Sequence, residues 1–180
     1  MIVTAVFVGF QTEELDRSAA SCLIMVRDVA KTVLVVGGAG YIGSHTAKAL
    51  AEQGLFPVVF DNLSTGRKAA VRWGPFVHGD VRDEAALRDA INSHGVTAVI
   101  HFASLIEVGR SVVRPDLFYQ QNLGGTAALL AAMRACDVRR LVFSSSAAVY
   151  GTPPGLGVLA ALDEGLPKEP ASPYGDTKLA

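Results

Sequence analysis

The sequence predicts an α/β fold, an open doubly wound parallel sheet in strand order 3-2-1-4-5. Three observations carry that expectation. From Thr32 onward, short β-branched runs alternate with helical stretches, as parallel βαβ units with right-handed crossovers require. The first run ends in a glycine-rich turn, Gly37-Gly38-Ala39-Gly40-Tyr41-Ile42-Gly43. Polar residues gather just after the runs, where a sheet of this kind binds its ligand.

Thr32-Val33-Leu34-Val35-Val36 is continuous and β-branched, the pattern of a strand buried on both faces. After the glycine turn, Ser44 to Gln53 reads as a helix stopped by Gly54. Pro57-Val58-Val59-Phe60 is a second buried strand ending at Asp61-Asn62, and residues 63 to 75 form a loop. Phe76-Val77-His78 is the third strand, before Gly79-Asp80. Asp83 to His94 is acidic at its start and periodic, which suits a helix. Ala98 to Phe102 is the fourth strand, Leu117 to Cys136 a long Ala- and Leu-rich helix, and Leu141-Val142-Phe143 the fifth strand. A further helix starts near Ser172-Pro173, serine suiting the cap and proline the first turn.

Residues 1 to 30 form an N-terminal extension that the sequence assigns to no element, and residues 31 to 180 one dinucleotide-binding domain. Half the chain is hydrophobic and 18% is charged, which argues against disorder. A net charge of -1 gives no general attraction to nucleic acid or anionic lipid. No apolar run reaches the roughly 20 residues of a membrane helix. The apolar start Met1 to Phe10 lacks a basic lead and is followed by Glu13 and Glu14, a poor signal peptide. Cys22 and Cys136 match no metal or redox spacing and read as buried apolar residues of a cytoplasmic protein. The four histidines, His45, His78, His94 and His101, show no ligand spacing, so no metal is expected.

Glycines alone are weak evidence, but these follow a buried strand and precede a helix. Gly37 and Gly40 allow a tight turn and close approach to a pyrophosphate, and Gly43 allows the helix to pack against the strand. The phosphates would meet the helix's free N–H groups and positive end. Asp61 lies 18 residues past Gly43. A carboxylate there accepts both ribose hydroxyls of an adenosine and repels a 2′-phosphate, which favours NAD over NADP. Arg67 and Lys68 are nearby cations but lie further along the loop. Asp61 has the alternative role of capping a turn; Asp80 either meets the adenine amino group or caps the helix at Asp83.

Tyr174 and Lys178 are four apart, which on a helix places both on one face. An ammonium beside a phenol stabilises the phenolate that a general base needs. Ser144-Ser145-Ser146 ends the fifth strand, beside the same cleft, and a hydroxyl there can hold a substrate oxygen while the tyrosine takes its proton. A serine cluster is otherwise ordinary turn material.

The strings Gly37 to His45, Asp61-Asn62-Leu63-Ser64, Ile100-His101-Phe102-Ala103 and Ser144 to Gly151 resemble the extended short-chain dehydrogenase/reductase family. The likeness runs from about Thr32 to Ala180 and is strongest to its branch of UDP-hexose C4-epimerases. It implies a Rossmann-like fold and a tightly held NAD touched by Tyr41, Ile42, Asp61, Asn62, Asp80, Val81, Phe102, Ala103 and Asn122. It implies Ser146, Tyr174 and Lys178 as the catalytic set. Ser146 and Tyr174 would hold the sugar 4-oxygen, and Lys178 the nicotinamide ribose. The implied reaction is transient oxidation of a UDP-sugar such as UDP-glucose or UDP-galactose to the 4-ketosugar, followed by reduction on the other face. Relatives usually pair as homodimers through helices like Leu117–Cys136.

Dehydratases of this family carry an Asp-Glu pair after the active-site hydroxyl; here those positions are Ala147 and Ala148, which cannot move a proton. Many epimerases have a lysine where this chain has Ile106. The chain ends at Ala180, before the sixth strand and substrate domain that the resemblance implies, so an incomplete dinucleotide-binding domain is expected. Two alternatives stay open: another nucleotide-sugar epimerase, such as one acting on UDP-glucuronate, and a non-catalytic NAD-binding module.

Overall fold

The computed structural model describes residues 5–8, 32–152 and 162–180. The five expected strands form as β2 (Thr32–Val36), β3 (Phe56–Asp61), β4 (Phe76–His78), β5 (Ala98–His101) and β6 (Leu141–Ser144). All five are parallel, and counted from Thr32 their order is 3-2-1-4-5. Val35 lies at the centre, level with Val59 on one side and Ile100 on the other.

Side chains of a strand alternate between faces, so a strand covered on both faces must be apolar throughout. Leu34 and Val36 join Val58, Phe60, Leu87, Ile91, Leu129 and Met133 on one face. Val33 and Val35 join Val59, Ala47, Leu50 and Ile100 on the other. The first face is covered by α2 (Glu84–His94) and α5 (Gly125–Ala135), and the second by α1 (Tyr41–Glu52). Burying each such Leu or Phe stabilises the fold by roughly 2 kcal/mol.

The structure departs from the sequence reading in five places. The first helix starts at Tyr41, not Ser44, because Gly40 caps it with backbone alone and leaves no side-chain signal. The Leu117–Cys136 stretch is not one α-helix. It runs as α4 (Pro115–Phe118), a π-helical turn (Tyr119–Gly124) and then α5. A short helix, α3 (Val108–Val113), precedes it in a segment that the sequence reading assigned to no element. Cys136 is half-buried rather than buried, its sulfur 4.0 Å from the Arg88 carbonyl oxygen. Within the N-terminal extension, β1 (Ala5–Val8) pairs antiparallel with β6, Ala5 level with Ser144, making the sheet six-stranded. An antiparallel edge strand on an otherwise parallel sheet is a common arrangement. Cys22 lies outside the described residues.

Among the described residues, no helix is long and apolar enough to cross a membrane, and no group of three or more His, Cys, Asp or Glu could hold a metal ion.

Candidate functional site

The glycine turn joins β2 to α1 above the middle of the sheet. Gly37 has φ +82°, and a Cβ there would lie 2.5 Å from the Ala103 amide nitrogen. Only glycine fits, for both conformation and space. Ala103 is held in place because its N–H and that of Phe102 both donate to the Val36 carbonyl, at 3.1 and 2.7 Å. A Cβ on Gly43 would collide with the Gly37 carbonyl oxygen, so Gly43 packs against the turn itself rather than against the strand. Among the described residues, the one neighbour a Cβ on Gly40 would meet is that same oxygen at 3.4 Å, which leaves its outer side open. The first helical bond of α1 runs from Ser44 N–H to the Gly40 carbonyl. The amides of Tyr41, Ile42 and Gly43 thus lack i−4 partners, and among the described residues neither a capping side chain nor a first-turn acid competes for them. The cradle fits the pyrophosphate of a dinucleotide.

Asp61 ends β3 beside this turn, 9% exposed. One carboxylate oxygen accepts from the Ala39 N–H at 3.0 Å and the other from the Leu63 N–H at 2.7 Å. The turn-capping role is the one these bonds fill, and each oxygen keeps lone pairs for further donors. The following loop closes over the glycines, with the Arg67 N–H donating to the Ala39 carbonyl at 3.0 Å. Lys68 is drawn aside, its ammonium 5.7 Å from the Phe76 ring centre.

Asn62 and Asp80 meet at the ends of neighbouring strands, the Asn62 amide donating to the Asp80 carboxylate at 3.1 Å. Arg82, which the sequence reading passed over, grips the same carboxylate through Nε and Nη2 at 2.9 and 2.8 Å. That guanidinium holds the Asp80 carboxyl well below the usual carboxylate range. Asp80 does not cap α2; Asp83 does, accepting from the Ala86 N–H at 3.0 Å. The Val81 side chain is core, packed so tightly that a Cβ on Gly125 would lie 2.6 Å from it. Only its main chain is left to face a ligand.

Asn122 lies in the π-helical turn with its amide fully engaged. Its oxygen accepts from the Leu105 N–H at 2.8 Å, and its nitrogen donates to the Leu105 carbonyl and the Thr177 hydroxyl, each at 3.0 Å. The side chain therefore ties loop to helix, and it has little capacity left for a cofactor. Ile106, next along that loop, is 65% exposed.

The helix α6 (Pro173–Leu179) bears Tyr174 and Lys178, and the Ser172 hydroxyl caps it by accepting from the Gly175 N–H at 3.2 Å. Tyr174 and Lys178 are 9% and 7% exposed. A Cβ on Gly175 would lie 2.7 Å from the Ala148 carbonyl oxygen, so glycine lets α6 approach the 3-10 turn Ala147–Tyr150. The three serines after β6 then divide the work. The Ser144 carbonyl accepts from the Lys178 ammonium at 2.8 Å. The Ser145 hydroxyl donates to the Lys178 carbonyl at 3.2 Å. The Ser146 oxygen accepts from the Ala148 N–H at 3.2 Å, which leaves its own hydrogen for a substrate. Burial lowers the Lys178 pKa to about 8.

Residues 33–180 match the sequence profile of the NAD dependent epimerase/dehydratase family. The chain belongs to that family. Its similarity to the UDP-glucose 4-epimerase of Rhizobium leguminosarum bv. trifolii is 51% identity over 148 residues, covering 82% of this chain and 44% of that protein. The Rhizobium meliloti (strain 1021) enzyme of the same name is 47% identical over 146 residues, covering 81% of this chain and 43% of its own length. Among solved structures, UDP-glucose 4-epimerase from Brucella ovis in complex with NAD matches with TM-score 0.79 and 53% identity, over 83% of this chain and 45% of that one. The Bifidobacterium longum enzyme in complex with NAD+ and UDP matches with TM-score 0.75 and 38% identity, over 82% and 46% of the two chains. The chain spans less than half the length of the curated relatives it matches. In this family member the glycine turn, Asp61 and the Ser146, Tyr174 and Lys178 set all lie at the carboxyl ends of the strands or on elements packed there.

Proposed function

We propose that residues 31–180 are the NAD-binding domain of a nucleotide-sugar C4-epimerase acting on a UDP-hexose, UDP-glucose and UDP-galactose being the pair. The observation that carries this reading is the joining of β6 to α6: Lys178 is bonded to Ser144 and Ser145, with the Ser146 hydroxyl next in the chain. The names of the relatives and the NAD in the Brucella ovis and Bifidobacterium longum structures support it.

When bound, NAD supplies a hydride acceptor that returns the hydride within the same cycle. Its pyrophosphate is held by the amides of Tyr41 and Ile42 and the open side of Gly40, and its adenosine ribose by Asp61. Main-chain groups of Val81, Phe102 and Ala103, and the Asn62–Asp80 pair, flank the same edge. Ser146 donates its free hydrogen to the sugar 4-oxygen. Tyr174, nearly buried on the face it shares with Lys178, removes the 4-hydroxyl proton and later returns it. The Lys178 ammonium, on the helical face it shares with Tyr174, reaches the nicotinamide ribose. Ala147 and Ala148 bring no acid or base to expel water, so oxidation at C4 is followed by reduction rather than elimination.

The complete protein pairs with a second copy. Val112, Val113, Tyr119, Leu123 and Leu130 are 38 to 76% exposed. The last three recur at helical spacing along one face.

The test is conversion of UDP-glucose to UDP-galactose by the full-length gene product with no NAD added. Turnover is expected, with Tyr174→Phe lowering kcat at least about a hundredfold, the scale of a lost general base. Unchanged turnover in Tyr174→Phe removes the tyrosine from its role, and absent turnover in the parent removes the reading.

A further inference from the structure

His101 ends β5 inside the protein, 2% exposed, and no step above uses it. Its Nε2 lies 3.1 Å from the Thr126 hydroxyl, and that hydroxyl lies 2.7 Å from the Asn122 carbonyl oxygen. A threonine has one hydroxyl hydrogen, and here it goes to the Asn122 carbonyl, so the hydrogen between ring and hydroxyl belongs to Nε2. The ring is therefore the Nε2–H tautomer, with Nδ1 a bare acceptor. Among the described residues Nδ1 has no hydrogen-bond partner.

The line continues beyond Asn122. Its side-chain amide donates to the Thr177 hydroxyl at 3.0 Å, and that hydroxyl donates to the Tyr174 carbonyl at 2.8 Å. Thr177 is 3% exposed and Asn122 also 3%, so neither bond competes with bulk water. A chain of four donors thus runs from the central sheet, through the π-helical turn, to the helix bearing Tyr174 and Lys178. Threonine hydroxyls bonded to carbonyls three or four residues back occur at both ends, Thr126 on Asn122 and Thr177 on Tyr174.

We propose that His101 and Thr126 are positioning residues: through Asn122 and Thr177 they fix where α6, and with it Tyr174 and Lys178, sits on the sheet. An apolar residue at 101 would avoid a bare buried acceptor. Histidine is explained by the donor it presents on the other nitrogen. Burial first, and then the Lys178 charge, lower the His101 pKa to about 3, so the ring stays neutral and the tautomer holds over the working range. The π-helical turn has a matching role. Wider turns of this kind gather at functional sites, and this one presents the Asn122 carbonyl to Thr126 and the Asn122 amide to Thr177. What α6 does once placed rests on the epimerase reading; the placement itself does not.

The experiment is hydrogen exchange on the chain carrying Thr126→Val, which keeps shape but removes both bonds, beside Thr126→Ser, which keeps them. Exchange of the α6 amides from Asp176 to Ala180 should rise about tenfold or more in Thr126→Val, a factor within the range of local opening. The β3 amides should not change, and Thr126→Ser should match the parent. Thr177→Val, which cuts the chain at its far end, should give the same α6 signature and covers the case in which Thr126→Val does not fold. A resolved His101 Nε2–H resonance in the parent, lost in Thr126→Val, checks the tautomer. Unchanged α6 exchange in a folded Thr126→Val, or equal loss of protection in β3, overturns the proposal. These readouts need neither NAD nor sugar, so a failed epimerase assay leaves them standing.

Discussion

The Lys178 ammonium is bonded to the Ser144 carbonyl at 2.8 Å and lies 4.8 Å from the Phe143 ring centre. The group proposed to serve the reaction also fastens α6 to the end of β6. Carbonyl and ring are partial compensation for burial, and the lysine pKa falls from 10.5 to about 8.

That depression makes stability depend on pH. Because the folded pKa is the lower one, the unfolded chain binds more protons between pH 8 and 10.5. The burial penalty is thus fully present below about pH 8 and is relieved as pH rises through that window. Relative to Lys178→Met, the parent should gain on the order of 3 kcal/mol across it. Urea unfolding of both proteins at several pH values measures the difference; curves that stay parallel contradict it.

Gly37→Ala and Gly109→Ala should act in opposite directions. At Gly37 the added methyl meets the Ala103 backbone at positive φ, while at Gly109, in α3, it meets nothing within 4 Å. Gly37→Ala should cost about 3 kcal/mol from strain and overpacking. Gly109→Ala should add up to about 1 kcal/mol through helix propensity. Chemical denaturation separates the two.

Much of the sheet was legible because a strand covered on both faces leaves no choice of residue: Val33 to Val36 are apolar on successive positions, as their two buried faces require. The glycine turn was legible because sterics at Gly37 admit nothing else. The helix start at Tyr41 was not, since Gly40 caps without a side chain. Nor was the π-helical turn, whose reason is the set of contacts Asn122 makes with Leu105 and Thr177, residues 17 and 55 positions away. Arg82 carried a local signal, an opposite charge two residues from Asp80, that could have been read. Serine spacing could not tell Ser145, whose hydroxyl donates to α6, from Ser146, whose oxygen accepts from the Ala148 N–H and keeps its hydrogen; their bonds do.

Leu123→Glu tests the pairing surface. Leu123 is 38% exposed in the π-helical turn, flanked along the face by Tyr119 and Leu130. If two copies meet there, a buried unpaired carboxylate should shift the full-length protein from dimer to monomer. Sedimentation at matched concentration reads the state, and a dimer unaffected by Leu123→Glu places the contact elsewhere.

Asp61→Asn tests the choice of cofactor. The amide keeps the size of the side chain but loses its charge and puts a donor where the Ala39 and Leu63 N–H groups need acceptors. NAD affinity should fall about tenfold or more, the cost of a charged hydrogen bond, and discrimination against NADP should shrink with it.

The most direct measurement of the whole account is an equilibrium titration of the chain with NAD and, separately, with NADP. Saturable NAD binding, at least about tenfold tighter than NADP because Asp61 repels the 2′-phosphate, is the predicted result. No saturable binding of NAD, or equal binding of both, would contradict it.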